Sequence, residues 1–292
     1  MYKKYIRLAK PRITFLVVVT TYLGYYLGLR YTGLMMIEFA SIVTFFHLVL
    51  GVVLTSSGSA ILNQYIERDL DAKMDRTKFR PLPSNEINPN SALFLGVFSC
   101  LVGVFYLFIF INTITSIISL LTIVSYLFIY TPLKTKTSWN TIIGSFPGAL
   151  PPVGGWVAAT GEIDSPEPII LFLILFCWQI PHFLSLAIIY KDDYSKAGYK
   201  MLPSISENLD STMFQIVFFT VALIVSSICI YLLQLTSYVY MIGAMILGLV
   251  FLFYSSSILF EQSNARIKKL FIFSIIYFPL LIFLILFDTL FL

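Results

Sequence analysis

The sequence predicts an all-α polytopic membrane protein with nine transmembrane helices. Three observations indicate this class: apolar segments of bilayer length recur along the whole chain, charged residues are scarce, and the positive residues fall on one side of the resulting topology. Of the 292 residues, 58% are hydrophobic and 12% are charged, and the mean hydropathy is +0.88. A soluble domain carries about twice that share of charge. The composition therefore excludes an ordinary soluble protein.

The predicted spans lie near residues 12–29, 40–66, 92–111, 113–133, 139–159, 168–190, 212–234, 237–260 and 270–291. The first follows a short basic segment, is too long for a signal peptide and is followed by no small-residue cleavage site. We therefore expect it to be a transmembrane helix with the N-terminus in the cytoplasm and, after nine spans, the C-terminus outside. No linker is visible, so we expect residues 1–292 to form a single membrane-embedded domain.

The distribution of positive charge agrees with this topology. With the N-terminus inside, 18 of the 19 Lys and Arg residues fall on the inner side, and only Arg30 lies outside. The net charge of +4 is therefore explained by topology and does not indicate nucleic-acid binding. No targeting extension is visible, so we expect a cell (cytoplasmic) membrane of a bacterium or archaeon. The three cysteines lie in apolar segments without metal-ligand spacing, which is typical of packing residues.

The most charged stretch of the chain begins directly after the second span. Asn63, Glu67, Asp71 and Asp75 recur every four residues, so a continuous helix would place them on one face. Basic residues are interleaved with them and follow them: Arg68, Lys73, Arg76, Lys78 and Arg80. Oxygen ligands beside cationic side chains suit a polyanion bound through a divalent cation. The alternative is a solvated loop of mixed charge at the membrane surface.

A second acidic pair, Asp192 and Asp193, follows the sixth span. The two long inner loops, about 67–91 and 190–211, thus both carry acidic motifs. If the second and sixth spans are neighbours, their carboxylates form a cradle for one or two Mg²⁺ ions that hold a diphosphate. The alternative is that Asp192 and Asp193 are a surface pair where a helix ends.

Polar residues within the sixth span suggest a substrate contact. Gln179 and His182 lie on either side of Pro181 in an otherwise apolar segment. Polar side chains inside a membrane are costly and usually face a cavity. The alternative is a histidine that is hydrogen-bonded in packing, and we assign that structural role to His47 in the second span, which has no polar neighbours in the sequence.

Two further features concern the fourth and fifth spans. Lys134, at the inner end of span four, is a candidate diphosphate donor, although a topology-setting lysine explains it equally well. Span five is rich in Gly and Pro, which predicts a bent helix whose small residues leave room for a flat or bulky group.

Together these residues suggest a Mg²⁺-dependent site that ionises an allylic diphosphate at the membrane surface. The lipid tail would lie between helices, and Phe and Tyr rings would shield a carbocation. Mg²⁺ with Arg76, Arg80 and Lys134 would stabilise charge on the departing diphosphate.

The chain resembles the UbiA-type membrane prenyltransferase superfamily, and within it the protohaem IX farnesyltransferase (haem O synthase) family. The resemblance extends to about residue 203 and is carried by these motifs: Leu8-x-Lys10-Pro11-Arg12; Asn63-x3-Glu67-x3-Asp71-x2-Met74-x-Arg76-Thr77-x2-Arg80-Pro81-Leu82; Tyr130-Thr131-x-Leu133-Lys134; Asn140 with Gly144; Gly148-Ala149-x-Pro151-Pro152-x2-Gly155-Trp156; Trp178-Gln179-x-Pro181-His182-Phe183; and Asp193-Tyr194-x2-Ala197-Gly198-x2-Met201-Leu202-Pro203.

The resemblance implies a nine-helix fold around a central cavity. It also implies transfer of the farnesyl group of farnesyl diphosphate to the 2-vinyl group of haem B, with water as third reactant, which yields haem O and diphosphate. Its implied residues are the following: Asn63, Glu67, Asp71, Asp192 and Asp193 for Mg²⁺ and catalysis, and Arg76, Arg80 and Lys134 for the diphosphate. From their place in the sixth span we hypothesise that His182 and Gln179 contact haem and that His182 ligates its iron. The superfamily's usual second motif, D-x3-D, is absent here, so it is open which of Asp192 and Asp193 meets the metal. The resemblance also implies the lipid bilayer as surroundings, a cytoplasmic active site, and a haem A synthase or a terminal oxidase as protein partner.

Other functions predict other behaviour. A polyprenyltransferase that uses an aromatic quinone precursor would be active without haem. A non-catalytic haem carrier or oxidase assembly factor would bind haem whether or not Glu67, Asp71 and Asp192 are present. A transporter is disfavoured because the acidic residues cluster at one surface and not near the membrane midplane.

Overall fold

The computed structural model describes residues 2–206 and 208–290, and within them it contains helices and no strand. The helices are α1 (Tyr2–Leu8), α2 (Pro11–Tyr31), α3 (Phe39–Asp71), α4 (Pro89–Phe110), α5 (Thr113–Val124), α6 (Thr131–Leu133), α7 (Asn140–Ala149), α8 (Pro151–Thr160), α9 (Pro166–Ile189), α10 (Lys191–Ala197), α11 (Leu202–Ile205), α12 (Asp210–Leu232), α13 (Tyr238–Phe260) and α14 (Asn264–Thr289). A π-helical turn, Ser125–Tyr130, joins α5 to α6.

The multi-pass membrane class is confirmed. Eight segments of the described chain are long and apolar enough to cross a membrane: α2, α3, α4, the continuous stretch Thr113–Leu133, α9, α12, α13 and α14. Where the sequence predicts a fifth span at 139–159, the chain forms two ten-residue helices, α7 and α8. The count of nine spans and the orientation in the membrane stay predictions.

The junction of α7 and α8 shows what the Gly and Pro residues of this segment do. Pro151 begins α8 at its first turn, where a missing N–H costs least, and so the segment is interrupted as its composition predicts. The room that the small residues leave is taken by neighbouring groups of this chain. A Cβ on Gly155 would lie 2.0 Å from the Thr21 carbonyl oxygen of α2, and one on Gly148 would lie 2.0 Å from Oε1 of Gln179.

The helices form two groups that meet near the acidic motifs. α2, α3, α4, α5 and α8 pack on one another, α9, α12, α13 and α14 form the second group, and α7 and α8 contact α9. The two long loops, residues 72–88 after α3 and 190–206 after α9, lie at the same end of the bundle. A small apolar cluster that includes Met74, Ala187 and Tyr199 connects them. This packing brings the charged segment after α3 against the segment after α9.

Candidate active site

Three polar residues of α3 form a buried stripe at the end of the helix. Asn63, Glu67 and Asp71, here called the oxygen stripe, lie one turn apart and are 1%, 4% and 1% exposed. The helix stops directly after Asp71, where the hydroxyl of Thr77 donates to the Asp71 carbonyl oxygen at 2.8 Å. Three of the four residues in the predicted repeat therefore share one buried helix face.

Asp75, the fourth member of that repeat, lies beyond the helix and points to solvent. Its carboxylate pairs with Lys78 at 2.6 Å and with Lys196 of the second loop at 2.9 Å. These two lysines lower the pKa of Asp75 to about 2, and Asp75 in turn raises the pKa of Lys196. This exposed pair links the two loops at the surface.

Each residue of the oxygen stripe is bound by a cation from a different part of the chain. The pairs are Lys10–Asn63 at 3.0 Å, Lys134–Glu67 at 2.7 Å and Arg80–Asp71 at 2.6 Å, from nitrogen to oxygen. Three cations thus face two carboxylates and one neutral amide. With Lys10 protonated, such a cluster carries excess positive charge in a poorly solvated place, which is the environment that attracts a multivalent anion.

Lys10 is the member of this cluster that was not predicted as a site residue. It lies between α1 and α2 in the left-handed backbone region, with φ 49°, which turns its side chain toward α3. Burial lowers the pKa of Lys10 to about 7, and repulsion from Arg80 and Lys134 acts in the same direction. A signal was present in the sequence, since Lys10 belongs to one of the motifs of the resemblance, but its chain distance from Asn63 hid the contact.

The π-helical turn before α6 positions Lys134. π-helical turns occur frequently at functional sites because they change the helix register, and this one is followed by Thr131, whose hydroxyl accepts a hydrogen bond from Asn63 at 3.3 Å. The ammonium group of Lys134 lies 4.6 Å from the ring centre of Tyr130 and 5.8 Å from that of Tyr199. Burial alone would lower the pKa of Lys134, but the nearby Tyr130 hydroxyl and the Glu67 carboxylate raise it well above its usual value.

Asn140 holds the loop of Lys134 against the second loop. Its side-chain amide donates to the carbonyl oxygens of Thr137 at 2.7 Å and Lys200 at 2.8 Å. The backbone N–H of Lys200 donates to the carbonyl of Lys134 at 2.7 Å. Tyr199, which sequence reasoning missed, is thereby fixed beside the oxygen stripe, and burial raises the pKa of its hydroxyl.

The two acidic residues of the second motif behave differently. Asp193 accepts hydrogen bonds from the backbone N–H groups of Asp75 at 3.4 Å and Arg76 at 3.2 Å, so it reaches across to the first loop. Asp192 points to solvent. The guanidinium group of Arg76 lies 5.2 Å from the ring centre of Tyr190, on the side of the second loop.

The two predicted haem residues of α9 contact different helices. The side chain of Gln179 is buried and donates to the carbonyl oxygen of Leu175 at 3.1 Å, and its Oε1 lies against Gly148 of α7. His182 contacts α14 through a 2.8 Å hydrogen bond between its Nδ1 and the Ser274 hydroxyl. Gln179 therefore packs against α7, and Nε2 of His182 has no hydrogen-bond partner among the described residues. That these two side chains contact haem stays a prediction.

The oxygen stripe fits Mg²⁺ by its donor chemistry. Among residues 2–206 and 208–290, no three Asp, Glu, His or Cys side chains are close enough together to enclose a metal ion. Mg²⁺ does not need such a cage, because it typically binds one or two carboxylates and takes its other ligands from water and substrate phosphates. Two surface cavities, about 690 Å³ beside Tyr5 and Phe94 and about 580 Å³ beside Trp139 and Phe214, do not include the oxygen stripe.

Comparison with known proteins assigns the chain to a family. Residues 16–280 match the family model described as the UbiA prenyltransferase family. The chain belongs to the UbiA prenyltransferase family. A curated relative of this prenyltransferase, a protoheme IX farnesyltransferase from Solibacter usitatus, is 41% identical over 288 residues and covers 98% of each chain.

Solved structures share the fold of this prenyltransferase. The structure of a digeranylgeranylglyceryl phosphate synthase matches with a TM-score of 0.82 and 18% identity, covering 100% of this chain and 99% of the other. A UbiA homologue from Archaeoglobus fulgidus bound to GPP and Mg²⁺ matches with a TM-score of 0.66 and 18% identity, covering 97% and 99%. At 18% identity these likenesses show a common fold.

Proposed function

We propose that this UbiA-family enzyme transfers the farnesyl group of farnesyl diphosphate to the 2-vinyl group of haem B, with water as third reactant, to give haem O and diphosphate. The observation that carries the proposal is the oxygen stripe with its three cations, in a chain 41% identical to a protoheme IX farnesyltransferase. A buried cluster of this charge suits the diphosphate of the donor, and the apolar surroundings suit its hydrocarbon tail.

Diphosphate binding is assigned to the cations that now bind the stripe. Arg80 and Lys134 lie 2.6 Å and 2.7 Å from their carboxylate partners and can exchange these for phosphate oxygens without leaving the site. Lys10 adds a third donor, and Arg76, held over Tyr190, adds a fourth at the mouth between the loops. These donors stabilise the negative charge that develops as the C–O bond of farnesyl diphosphate breaks.

Mg²⁺ is assigned to the oxygen stripe and the second acidic motif. The proposed ligands are Asn63, Glu67, Asp71, Asp192 and Asp193. When bound, the metal neutralises charge on the diphosphate and favours its departure. The Archaeoglobus fulgidus homologue of the same fold binds GPP together with Mg²⁺, which supports metal-dependent chemistry on this fold.

The acceptor half of the reaction takes place beside aromatic side chains. The π electrons of the haem vinyl group form a new C–C bond with C1 of the farnesyl group. Water adds to the vinyl carbon next to the porphyrin, and loss of its proton leaves a hydroxyl group. Tyr126 and Tyr130 have ring centres 5.7 Å apart, and the Tyr130 ring lies beside Lys134. We expect their ring faces to stabilise the allylic cation. His182, with Nε2 unbonded, is proposed to contact haem or ligate its iron, while Gln179 supports the helix that carries it.

The surroundings follow from the charge distribution. We place the enzyme in the cell membrane with its active site facing the cytoplasm, because the basic residues cluster at the end of the bundle that holds the oxygen stripe. Its product would be used by a terminal oxidase directly or through a haem A synthase.

The test is an assay in detergent micelles with haem B, farnesyl diphosphate and Mg²⁺, read by mass spectrometry of the extracted haem. We expect a haem whose 2-vinyl group has become a hydroxyethylfarnesyl group, heavier by one farnesyl and one hydroxyl group, and absent with EDTA and with Asp71→Ala. Asp75→Ala is the matched control, because it removes an acid from the same segment but outside the stripe. An unchanged haem from folded protein contradicts the proposal, and a prenylated phenolic acceptor in the same assay would identify the quinone-precursor alternative.

A second arm addresses the carrier alternative. A carrier binds haem B equally well in the wild-type protein and in the Glu67→Gln and Asp71→Asn variants and forms no product. An enzyme binds haem in all three, forms product in the wild type and forms it much more slowly in both variants.

A further inference from the structure

Ser274 of α14 binds two aromatic side chains of α9. Its hydroxyl donates to the carbonyl oxygen of Phe271 at 2.6 Å, and the same oxygen lies 2.8 Å from Nδ1 of His182. Its backbone carbonyl accepts a hydrogen bond from Nε1 of Trp178 at 2.8 Å. Ser274 is itself fully buried, so no solvent competes for these bonds.

These bonds determine which nitrogen of His182 carries the proton. Because the hydroxyl hydrogen of Ser274 is directed to Phe271, its oxygen can only accept from the ring, and Nδ1 must be the protonated nitrogen. In the neutral ring the lone pair then lies on Nε2. Nε2 has no hydrogen-bond partner among the described residues, and it is not one of their buried unpaired atoms, so it is accessible.

Packing fixes the ring in this orientation. The imidazole lies between Trp178, 5.2 Å away at an interplanar angle of 13°, and Phe271, 5.1 Å away at 22°. Phe278 covers the far face of Trp178 at 4.8 Å. A ring held on both faces and by one hydrogen bond loses little further freedom on binding a ligand, which favours affinity.

We propose that Ser274 is a positioning residue that presents Nε2 of His182 to the haem iron. This inference rests on the proposed function, in which haem is the acceptor. Histidines that ligate metals almost always donate their other ring N–H to an acceptor, which fixes the tautomer and raises the basicity of the ligating nitrogen. Ser274 supplies that acceptor from a different helix, so the α9–α14 contact and the ligand geometry depend on each other.

The experiment is resonance Raman spectroscopy of the purified protein loaded with ferrous haem B, without farnesyl diphosphate. We expect an iron–histidine stretching band that His182→Ala abolishes. Ser274→Ala shifts the band to lower wavenumber, because a weaker hydrogen bond leaves less electron density on Nε2, and lowers haem affinity about 10-fold. Ser274→Thr keeps a hydroxyl and restores both values. Ser255→Ala, which removes a buried hydroxyl on α13, is the matched control and leaves them unchanged.

Each result separates the claims. If His182→Ala removes the band while Ser274→Ala keeps the wild-type wavenumber and affinity, Ser274 is only a packing contact and the inference is overturned. A band that survives His182→Ala overturns iron ligation as well. Farnesyl transfer is assayed separately, so protein that shows the expected spectra but forms no haem O contradicts the proposed function alone. Should Ser274→Ala fail to fold, Ser274→Cys gives a weaker acceptor of similar size for the same comparison.

Discussion

The ammonium nitrogen of Lys134 lies 2.7 Å from Oε1 of Glu67, with the two side chains only 15% and 6% exposed. Removing two charges from water is expensive, and the attraction between them repays this cost only while both are present. The pair therefore joins α3 to the segment after α6 at the place where the substrate's diphosphate is proposed to bind. When the substrate and metal bind as proposed, a phosphate group would replace Glu67 as the partner of Lys134, and Mg²⁺ would replace Lys134 as the partner of Glu67.

We predict that removing one member of this ion pair destabilises the protein more than removing both members. Lys134→Met leaves the Glu67 carboxylate buried without its partner and should cost about 3–5 kcal/mol, seen as a lower Tm in detergent. Glu67→Gln combined with Lys134→Met should recover much of that loss, although farnesyl transfer stays absent. Lys196→Met is the control, since its pair with Asp75 is exposed and should leave Tm unchanged. A double variant no more stable than Lys134→Met would contradict the argument.

The Mg²⁺ dependence should distinguish Asp71 from Asp75. Asp71→Asn keeps the shape of the side chain but removes the charge that faces Arg80, so the proposed metal loses a charged ligand. If that ligand contributes on the order of 1.5–3 kcal/mol, as charged hydrogen bonds do, then kcat/KM at limiting Mg²⁺ falls about 10–100-fold.

Asp75→Asn makes the same chemical change four residues further along the chain, at an exposed carboxylate. We expect its Mg²⁺ titration to match that of the wild type. If kcat/KM at limiting Mg²⁺ falls equally in both variants, the fall reflects the charge of the segment as a whole. That result would contradict the assignment of the oxygen stripe as the metal site.

Much of this site follows from the sequence, and the remainder depends on contacts between distant segments. The four-residue repeat predicted the oxygen stripe because a helix needs only local spacing to align Asn63, Glu67 and Asp71. Where the helix ends is decided by the turn after it, in which Thr77 binds the last carbonyl, and this excluded Asp75. Lys10 was not identified as a site residue, since no periodicity connects it to a residue 53 positions away.

The fold shows the same division. Hydropathy predicted the class and eight of the spans, which depend on composition over about 20 residues. The interruption between α7 and α8 follows from local Pro and Gly content, but whether glycine leaves a gap or admits a neighbour depends on what packs there. For Gly144 the neighbour is the ring of Tyr130, which a Cβ would approach to 2.4 Å.

The second acidic motif provides a third prediction. Asp193 binds two backbone N–H groups of the first loop, whereas Asp192 is exposed. Asp193→Asn weakens these bonds because a neutral amide is a poorer acceptor than a carboxylate. We expect faster tryptic cleavage after Arg76 or Lys78 than in the wild type. Mass spectrometry of the fragments measures the cleavage rate.

Trypsin should cleave the Asp192→Asn variant at the wild-type rate, whereas the Mg²⁺ concentration that this variant needs for farnesyl transfer should rise. This pair of variants therefore shows which aspartate serves the metal and which holds the loop. Equal cleavage of both variants would mean that the Asp193 bonds do not restrain the first loop.

The adjacent glycines of α8 offer a matched test of the packing that supports the site. A Cβ on Gly155 would lie 2.0 Å from the Thr21 carbonyl oxygen, which is backbone and cannot move aside without shifting α2. A Cβ on Gly154 would meet Ile118 at 3.6 Å, an ordinary van der Waals contact. Gly155→Ala should therefore cost about 1–3 kcal/mol or more, measured as a lower Tm, because overpacking displaces a helix.

Gly154→Ala should be neutral or slightly stabilising, since alanine favours the helix and nothing has to move. The two variants add the same methyl group to neighbouring positions, so helix propensity and hydrophobicity cancel in the comparison. A similar Tm for both would mean that α2 and α8 are not in backbone contact. Because α2 begins directly after Lys10, a displaced α2 should also weaken farnesyl transfer in Gly155→Ala beyond what its lower Tm explains, and Gly154→Ala should retain wild-type activity.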